Sequence, residues 1–302
     1  MAQGDLYEAT AGDSTDIYYV DTGMFDTAEY GSVYILDTPR PAVVDTGIGK
    51  HYEVILDALA EVGIPPGDLS CIVATHVHLD HAGGAGYLAA ECPDAEVYVH
   101  EIGAPHLVDP SRLWEGTKAA VDDQIDYYAE PKPVPEGRVT ELTDGDELDV
   151  GDRALDVHHA PGHAPHQVVL HDPVSEGVFA ADAAGNYTPG LDRVLHQSPP
   201  PNFDLEGVIA DVETLEELDP AALYFGHFGD RPTGDILEEY RVVSREWVEA
   251  VREARERFED DGAVADHFAQ RARTLGVWAD RKARGEERMN VKGAIQYLDC
   301  RE

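Results

Sequence analysis

A cluster of histidines after a short apolar segment constrains the fold of this chain more than any other feature. Residues 75–84 read THVHLDHAGG and directly follow the apolar run 71–74. Neutral imidazole is the main nitrogen ligand of zinc in proteins. In an extended segment His76 and His78 face the same side, and the following turn brings Asp80 and His81 to a second point. One short segment can therefore supply ligands to two adjacent metal ions.

Three further potential ligands follow apolar segments in the same manner. They are His163 after Pro161-Gly162, Asp182 after residues 179–181, and His227 after Phe225-Gly226. An isolated histidine at a strand end is usually structural or solvated, and an isolated aspartate there usually forms a turn or a cap. Three such positions in a chain that also carries the histidine cluster favour metal ligands.

The apolar pattern predicts an α/β chain, because strands and helices alternate along its first third. Strands are predicted over 17–20, 32–36, 41–44, 71–74 and 97–99, and helices over 51–62, 86–92 and 111–129. A second group of strands is predicted over 139–142, 147–150, 154–158, 168–170 and 178–181, followed by a helix over 205–218 and a strand over 223–225.

The pattern becomes helical from Gly234 onward. Apolar residues recur at steps of three and four over 237–258, and further helices are predicted over 263–274 and 291–298. We expect a catalytic domain over residues 1–233 and a helical extension over 234–302 that packs on it. A dimer seam or a substrate-capping helix is the alternative interpretation of the long helix.

The charge balance is strongly acidic, with 22 Lys and Arg residues against 60 Asp and Glu residues and a formal net charge of −38. The acidic residues are spread along the whole chain. We interpret them as an adaptation to molar salt, where the Debye length is about 3 Å, rather than as a surface for a basic partner. This charge balance provides no cluster of basic residues that could bind nucleic acid.

The cysteine pattern and the hydropathy concern the cellular compartment. The three cysteines are widely spaced and form no C-x-x-C motif, which is typical of a reducing cytosol. Residues 1–16 are polar and acidic, and the chain has no apolar run of about 18 residues. We expect a cytoplasmic protein with no membrane partner. The sequence leaves open whether the protein forms a homodimer.

The ligand motifs resemble those of the metallo-β-lactamase superfamily over about residues 17–230. The matching pieces are His76-x-His78-x-Asp80-His81, Pro161-Gly162-His163, Asp182, Gly226-His227 and Asp45-Thr46-Gly47. The resemblance implies a four-layer αββα sandwich with two metal ions at one sheet edge. It implies His76, His78 and His163 at the first metal, Asp80, His81 and His227 at the second, and Asp182 as the bridge. Asp45 would orient a ligand histidine.

Some residues of this chain differ from the patterns of individual branches of the superfamily, and these differences narrow the choice of branch. β-Lactamases of this fold typically lack the histidine found here at 81, and diiron flavoproteins of this fold carry glutamate where His78 stands. The step of 45 positions from Asp182 to His227 is too short for the domain that one group of nucleases inserts there. His81-Ala82-Gly83-Gly84 is similar to the glyoxalase II and lactonase branch. Ribonuclease Z shares the H-x-H-x-D-H set and stays open.

The resemblance implies a dinuclear hydrolase with two zinc ions, in which iron or manganese is the alternative metal. A metal pair lowers the pKa of a bridging water, so that hydroxide attacks a carbonyl carbon or a phosphorus. Asp80 and Asp182 are the expected catalytic carboxylates. His166 would donate a proton to the leaving group or line the site, unless it lies on the surface.

Our leading hypothesis is hydrolysis of a small-molecule ester, thioester or lactone. A phosphodiesterase or ribonuclease of the ribonuclease Z type, with RNA as partner, is the first alternative. A mononuclear iron persulfide dioxygenase of the same fold is the second.

Weaker candidates surround these residues in sequence. Asn186, Tyr187, Arg193 and His196 follow Asp182 and are candidate substrate contacts. Phe25 and Tyr30 either lie on a loop over the site or pack in the core. We expect neither His158 nor His159 to be a ligand, because neighbours in a strand face opposite sides. The solvated or capping histidines are expected to be His51, His100, His106, His171 and His267.

Overall fold

The computed structural model describes residues 3–301, which fold into layered sheets and helices. The strands are β1 (Leu6–Glu8), β2 (Ile17–Asp21), β3 (Ser32–Leu36), β4 (Ala42–Val44), β5 (Cys71–Ala74), β6 (Glu96–His100), β7 (Val139–Leu142), β8 (Glu147–Asp149), β9 (Ala154–His159), β10 (Val168–Asp172), β11 (Gly177–Ala181), β12 (Asn186–Thr188), β13 (Arg193–Leu195), β14 (Ala222–Phe225) and β15 (Gly229–Pro232). The α-helices are α1 (Glu53–Val62), α2 (Leu79–Ala82), α3 (Ala85–Glu91), α4 (Ala104–Val108), α5 (Ser111–Val121), α6 (Leu205–Leu218), α7 (Ile236–Arg257), α8 (Asp261–Ala272) and α9 (Asp280–Asp299).

The strands pair into two large mixed sheets and a small hairpin within the described residues. The first sheet has the order β1-β2-β3-β4-β5-β6-β7, and the second has the order β15-β14-β11-β10-β9-β8. The pairs from β4 to β7 are parallel, as is the pair β11–β14. The strands β12 and β13 form the separate antiparallel hairpin.

Alternating side chains of the strands bury both faces of each sheet. In β5, Cys71 and Val73 pack in the core between the two sheets, whereas Ile72 and Ala74 pack on the opposite face with residues of α1 and α3. A strand that is buried on both faces consists of an unbroken apolar run, as β5 does. Residues of α6, α7 and α9 cover the outer face of the second sheet in the same way. The result is the predicted αββα sandwich with C-terminal helices.

Two helix boundaries differ from the sequence predictions. The helix predicted over 111–129 ends at Val121, where Asp122 adopts a positive φ of 49° and a 3₁₀ segment follows. The final helix was expected over 291–298 and in fact begins at Asp280. Its first half was missed because Lys282 and Glu286, which face the protein interior, have the polarity of a solvent-facing surface.

The predicted domain boundary at residue 233 stays a prediction, although α7 does begin close to it. None of the helices formed by residues 3–301 combines the length and the apolar composition that a bilayer crossing requires.

Candidate metal centre

The ends of the central strands bring the predicted ligands to one edge of the sandwich. Parallel strands present their carboxyl ends at the same sheet edge, where ligand sites of α/β proteins form. Strand β5 ends immediately before Thr75 and His76, and β11 and β14 end before Asp182 and Gly226-His227. The chain leaving β9 reaches the same edge through the turn that carries His163.

The first ligand group consists of His76, His78, His163 and Asp182. His78 Nδ1 lies 3.1 Å from His76 Nε2 and 3.0 Å from His163 Nε2. Asp182 Oδ2 lies 3.0 Å from His163 Nε2. Three ring nitrogens and a carboxylate oxygen therefore converge on one point.

The second ligand group consists of Asp80, His81 and His227. His227 Nε2 lies 3.8 Å from Asp80 Oδ2 and 3.3 Å from Asp182 Oδ1, the other oxygen of the carboxylate in the first group. His81 Nε2 lies 3.4 Å from Asp182 Oδ2. Asp182 thus lies between the two groups, in the position that the sequence prediction gave to a bridging residue.

Asp45 supports the ligands from behind. Its Oδ2 accepts a hydrogen bond from His81 Nδ1 at 2.8 Å, and its Oδ1 accepts hydrogen bonds from the Thr75 backbone N–H and hydroxyl at 2.9 and 2.8 Å. Since the hydrogen bond to Asp45 holds the Nδ1 proton, a neutral His81 would direct the lone pair of Nε2 at the site. A carboxylate behind a ligand histidine is the usual arrangement in metal sites, and it matches the predicted role of Asp45.

Two glycines permit the close approaches that the site needs. A Cβ at Gly226 would lie 2.7 Å from Cε1 of His81, and a Cβ at Gly162 would lie 2.1 Å from the backbone nitrogen of Val208. A larger residue at either position would displace a ligand loop. The glycines of the Pro-Gly-His and Gly-His motifs are therefore required for steric reasons.

The electrostatics suit cation binding. Burial and the neighbouring imidazoles lower the pKa of His76, and burial lowers the pKa of His163 to about 3 although Asp182 opposes it. Burial alone would raise the pKa of Asp182, but His163, His81 and His227 outweigh it and hold that pKa below its usual range. Neutral imidazoles and an ionised carboxylate are the protonation states that bind metals.

Unsatisfied polar atoms bear on whether these residues fit metal ions. Ten buried side-chain atoms among residues 3–301 have no hydrogen-bond partner, and His81 Nε2 and Asp182 Oδ1 of the ligand groups are two of them. Most buried polar atoms in proteins are satisfied. A cation between these atoms would satisfy both, and an N/O ligand set of this kind suits zinc, iron or manganese.

A cavity of about 500 Å³ opens on the ligands. His78, Asp80, His163 and Asp182 form its polar end. Leu113, Gly116 and Ala120 of α5, residues 199–201 and Met289 contribute apolar parts of the remaining wall, which also includes the polar side chains of Arg112, Gln197 and Glu286. The polar end therefore continues into a wall that is largely apolar.

His166 also lines this cavity and is buried. Its Nδ1 accepts a hydrogen bond from the Val77 backbone N–H at 3.3 Å, which leaves the ring proton on Nε2. Burial and neighbouring imidazoles lower the pKa of His166 to about 2, so the ring is neutral near neutral pH. The side chain lines the site, as one of the two predicted roles states, and it can donate a hydrogen bond from Nε2; proton donation to the leaving group stays a prediction.

The candidate substrate contacts after Asp182 lie elsewhere. Asn186, Arg193 and His196 line a separate cavity of about 370 Å³, and Tyr187 packs in the outer core of the second sheet. The expectation that they reach substrate at the metal centre is wrong for this cavity, because the chain turns at Gly185, whose φ is 82°, into the hairpin β12–β13. Phe25 and Tyr30 are buried in an aromatic cluster, as the packing alternative predicted.

The remaining histidines fall outside both ligand groups. His158 and His159 are not among the clustered ligands, as expected. His100 is buried rather than solvated and stacks on His159, with 4.2 Å between the ring centroids.

Glu286 was missed by the sequence analysis. It lies on α9, is buried, and lines the cavity beside the ligands. No local pattern in the sequence distinguishes it from its neighbour Glu287, which does not line this cavity.

Comparisons with known proteins were consistent with this geometry. The sequence is 28% identical over 182 residues to the acyl-coenzyme A thioesterase MBLAC2 of Gallus gallus, an alignment that covers 55% of this chain and 62% of that protein. It is 25% identical over 244 residues to an N-acyl homoserine lactonase of a Bacillus species, covering 73% of this chain and 80% of the lactonase.

A solved structure resembles almost the whole chain. The crystal structure of ST1585 from Sulfolobus tokodaii, an archaeal metallo-beta-lactamase superfamily protein, has a TM-score of 0.65 at 18% identity and covers 98% of this chain and 99% of that one. The sequence profile of the metallo-beta-lactamase superfamily matches residues 26–227, which include every predicted ligand. This chain belongs to the metallo-beta-lactamase superfamily.

Proposed function

We propose that this protein is a dinuclear zinc hydrolase that cleaves a small ester, thioester or lactone with an aliphatic acyl group. The observation that carries the proposal is the cavity of about 500 Å³, which has the two ligand groups at one end and a largely apolar wall beyond them. A scissile carbonyl at the polar end would leave its aliphatic portion against α5 and residues 199–201. Apolar walls with a few convergent polar groups are typical of small-molecule sites.

The chain would hold the ions with the seven residues of the two ligand groups. When bound, a pair of zinc ions supplies a water of lowered pKa as nucleophile and polarises the substrate oxygen. Asp80, whose carboxylate lines the cavity, is the proposed acceptor of the proton that the water loses. His166 offers its Nε2–H to the substrate oxygen or to the leaving group.

The names of two relatives support an acyl substrate. One is named an acyl-coenzyme A thioesterase and the other an N-acyl homoserine lactonase. Their identities of 28% and 25% do not choose between a thioester and a lactone. The apolar wall favours the acyl portion that both substrates share.

The ribonuclease alternative has less support, because four of the five arginines of α7 that could form a track for RNA bind carboxylates instead. The paired arginines of α7 are Arg241 with Glu216 and Glu238, Arg252 with Glu249, Arg255 with Asp261 and Asp299, and Arg257 with Glu253. Nucleic-acid binding depends on basic side chains that are free to contact phosphates. We therefore propose a small molecule, rather than RNA, as the partner at this site.

The acyl part of the proposal can be tested at Gly116. A Cβ at this position would meet nothing within 4 Å, and the residue lies inside α5 on the cavity wall. Gly116→Trp should narrow the cavity without strain in the helix, since glycine is a poorer helix former than tryptophan. We expect kcat/KM of the zinc-loaded variant to fall by roughly tenfold for dodecanoyl esters and to change little for acetyl esters.

The matched control is Gly137→Trp, at a position that also meets nothing within 4 Å but lies outside the cavity. Equal losses for short and long acyl chains in the Gly116 variant would contradict an acyl site along α5. Faster turnover of bis(p-nitrophenyl) phosphate than of every ester, thioester and lactone would favour the nuclease alternative. Persulfide-dependent oxygen uptake with one iron per chain would overturn the hydrolase proposal.

A further inference from the structure

A lysine of the C-terminal helix is buried next to the metal centre. Lys282 on α9 is 1% exposed, and it lies outside residues 26–227, the segment matched by the superfamily profile. Burial of an ammonium group costs several kcal/mol unless it is paired and hydrogen-bonded. A residue of this kind needs close partners, and the structure provides them.

The partners form a closed cage around the ammonium group. Lys282 Nζ lies 2.5 Å from Glu286 Oε2, one helical turn along α9, and donates a hydrogen bond to the Tyr30 hydroxyl at 2.7 Å. It also lies 3.8 Å from the ring centroid of Phe25 and 4.0 Å from that of Tyr30. Cation–π contacts at this distance stabilise a desolvated ammonium group.

Tyr30 connects this cage to a metal ligand. Its ring packs on the imidazole of His227 with 4.9 Å between centroids. Its backbone carbonyl accepts a hydrogen bond from His227 Nδ1 at 3.3 Å. This bond leaves Nε2 of His227 free to face the second ligand group, as the bond from Asp45 does for His81.

The loop that carries Tyr30 needs external support. Phe25, Asp26 and Glu29 all adopt positive φ angles, of 58°, 51° and 55°. Non-glycine residues in this region cost about 1–3 kcal/mol each and persist only where the surroundings enforce them. The Asp21 carboxylate holds the two ends of the loop by accepting hydrogen bonds from the N–H groups of Gly23 and Glu29. Lys282 contacts Phe25 within this loop and Tyr30 directly after Glu29, where the chain meets His227.

We propose that Lys282 is a positioning residue for the second ligand group, which fixes Tyr30 and thereby the orientation of His227. The C-terminal helix would then set the affinity for the second metal ion without contributing a ligand. The inference rests on the proposed metal sites and is independent of the proposed substrate.

Lys282→Met tests the inference, because it removes the charge and the hydrogen bond while keeping a similar side-chain length. Stepwise cobalt titration of the apoprotein, followed by absorbance, would give a dissociation constant for each ion. We expect the affinity for one ion to fall by about 10–100-fold, as is usual for residues that support a ligand histidine, and the other to stay within about twofold of wild type. Lys292→Met is the matched control, since Lys292 lies on the same helix and pairs with the exposed Asp122.

Two further variants guard against a simple loss of folding. Tyr30→Phe removes only the hydroxyl that Lys282 contacts. Lys282→Met combined with Glu286→Leu removes the ion pair as a unit and leaves no buried carboxylate without a partner. Both should weaken the same metal ion while the far-ultraviolet circular dichroism stays that of wild type.

Three possible outcomes of these metal titrations test the proposed role of Lys282. Selective weakening of one ion in all three variants supports the positioning role. Wild-type affinities in the three variants, or equal weakening of both ions, would overturn it. A wild-type protein that binds no divalent metal would overturn the proposed function itself, and the inference with it.

Discussion

The two ligand groups of the metal centre differ in what supports them. In the first group, His76 Nδ1 has only the Thr75 hydroxyl at 3.2 Å, and His163 Nδ1 has no hydrogen-bond partner among the described residues. In the second group, His81 is held by the Asp45 carboxylate and His227 by the Tyr30 carbonyl. The second group is therefore anchored to the core and, through Tyr30, to α9.

The two groups do not differ in the same way in exposure. Each group has one half-buried member that lines the cavity, His78 or Asp80, and His76, His81, His163 and His227 are all at most 2% exposed. The groups therefore differ in the support behind their histidines rather than in their access to the cavity. Substitutions behind the second group should accordingly lower metal affinity more than substitutions behind the first.

The largest effect is expected at Asp182, whose two oxygens lie near the two groups. Asp182→Ala should weaken both metal ions and lower activity by several orders of magnitude, because it removes the residue that the groups share. Activity assays and metal analysis in high salt would measure this, with Asp192→Ala at an exposed position as the control. Activity near that of wild type, or loss of only one ion, would show that Asp182 does not bridge.

A smaller effect is expected at Asp45. Asp45→Asn should weaken the ion of the second group by about 10–100-fold, since His81 loses a charged acceptor. Thr75→Val removes the hydroxyl that is the sole support of His76 Nδ1 among the described residues, and should weaken the first ion by only a few-fold. Cobalt titration of both variants would compare the two losses directly. A larger loss from Thr75→Val would reverse the proposed difference in anchoring.

The smallest effect on the metals is expected at Asp211, although it should change the pH dependence of stability. Its Oδ2 accepts a hydrogen bond at 2.7 Å from the N–H of Gly162, in the loop that carries His163. Burial raises the pKa of Asp211 from 3.8 to about 7. Between pH 3.8 and about pH 7 the folded state therefore keeps a proton that the unfolded state has released. Because of this carboxyl, the free energy of unfolding falls as the pH rises through that range.

Asp211→Asn keeps the acceptor oxygen and cannot ionise. The wild-type free energy of unfolding should fall by about 2–3 kcal/mol more than that of the variant between pH 5 and pH 8. Urea unfolding in molar salt would measure both curves. Parallel curves for the two proteins would mean that Asp211 does not titrate in this range.

Three of the ligands could be predicted from sequence because each follows a strand that is apolar on both faces. His76, Asp182 and His227 come directly after or within two residues of such strands, and parallel strands end at one edge. The short strands β1 and β15 were not predicted, because their sequences contain no run of apolar residues. The hairpin β12–β13 was missed for the same reason. Asn186 and His196 were therefore expected to contact substrate, whereas they line the other cavity.

The contribution of α9 could not be predicted, because it depends on contacts between distant parts of the chain. Lys282, Glu286 and Asn290 are buried at intervals of four residues, yet their polarity is that of a solvated helix face. The partner of Lys282 is Tyr30, at the opposite end of the sequence. Only the folded chain shows that this polar stripe faces an aromatic cage.

Metal stoichiometry tests the central claim most directly. Protein purified in molar salt would be analysed for bound metal by mass spectrometry and then titrated with zinc after chelation. The two ligand groups predict two ions per chain that bind in separate steps, and Asp45→Asn should weaken the ion of the second group. A single ion per chain, or none after reconstitution, would contradict a centre built from His76, His78 and His163 on one side and Asp80, His81 and His227 on the other.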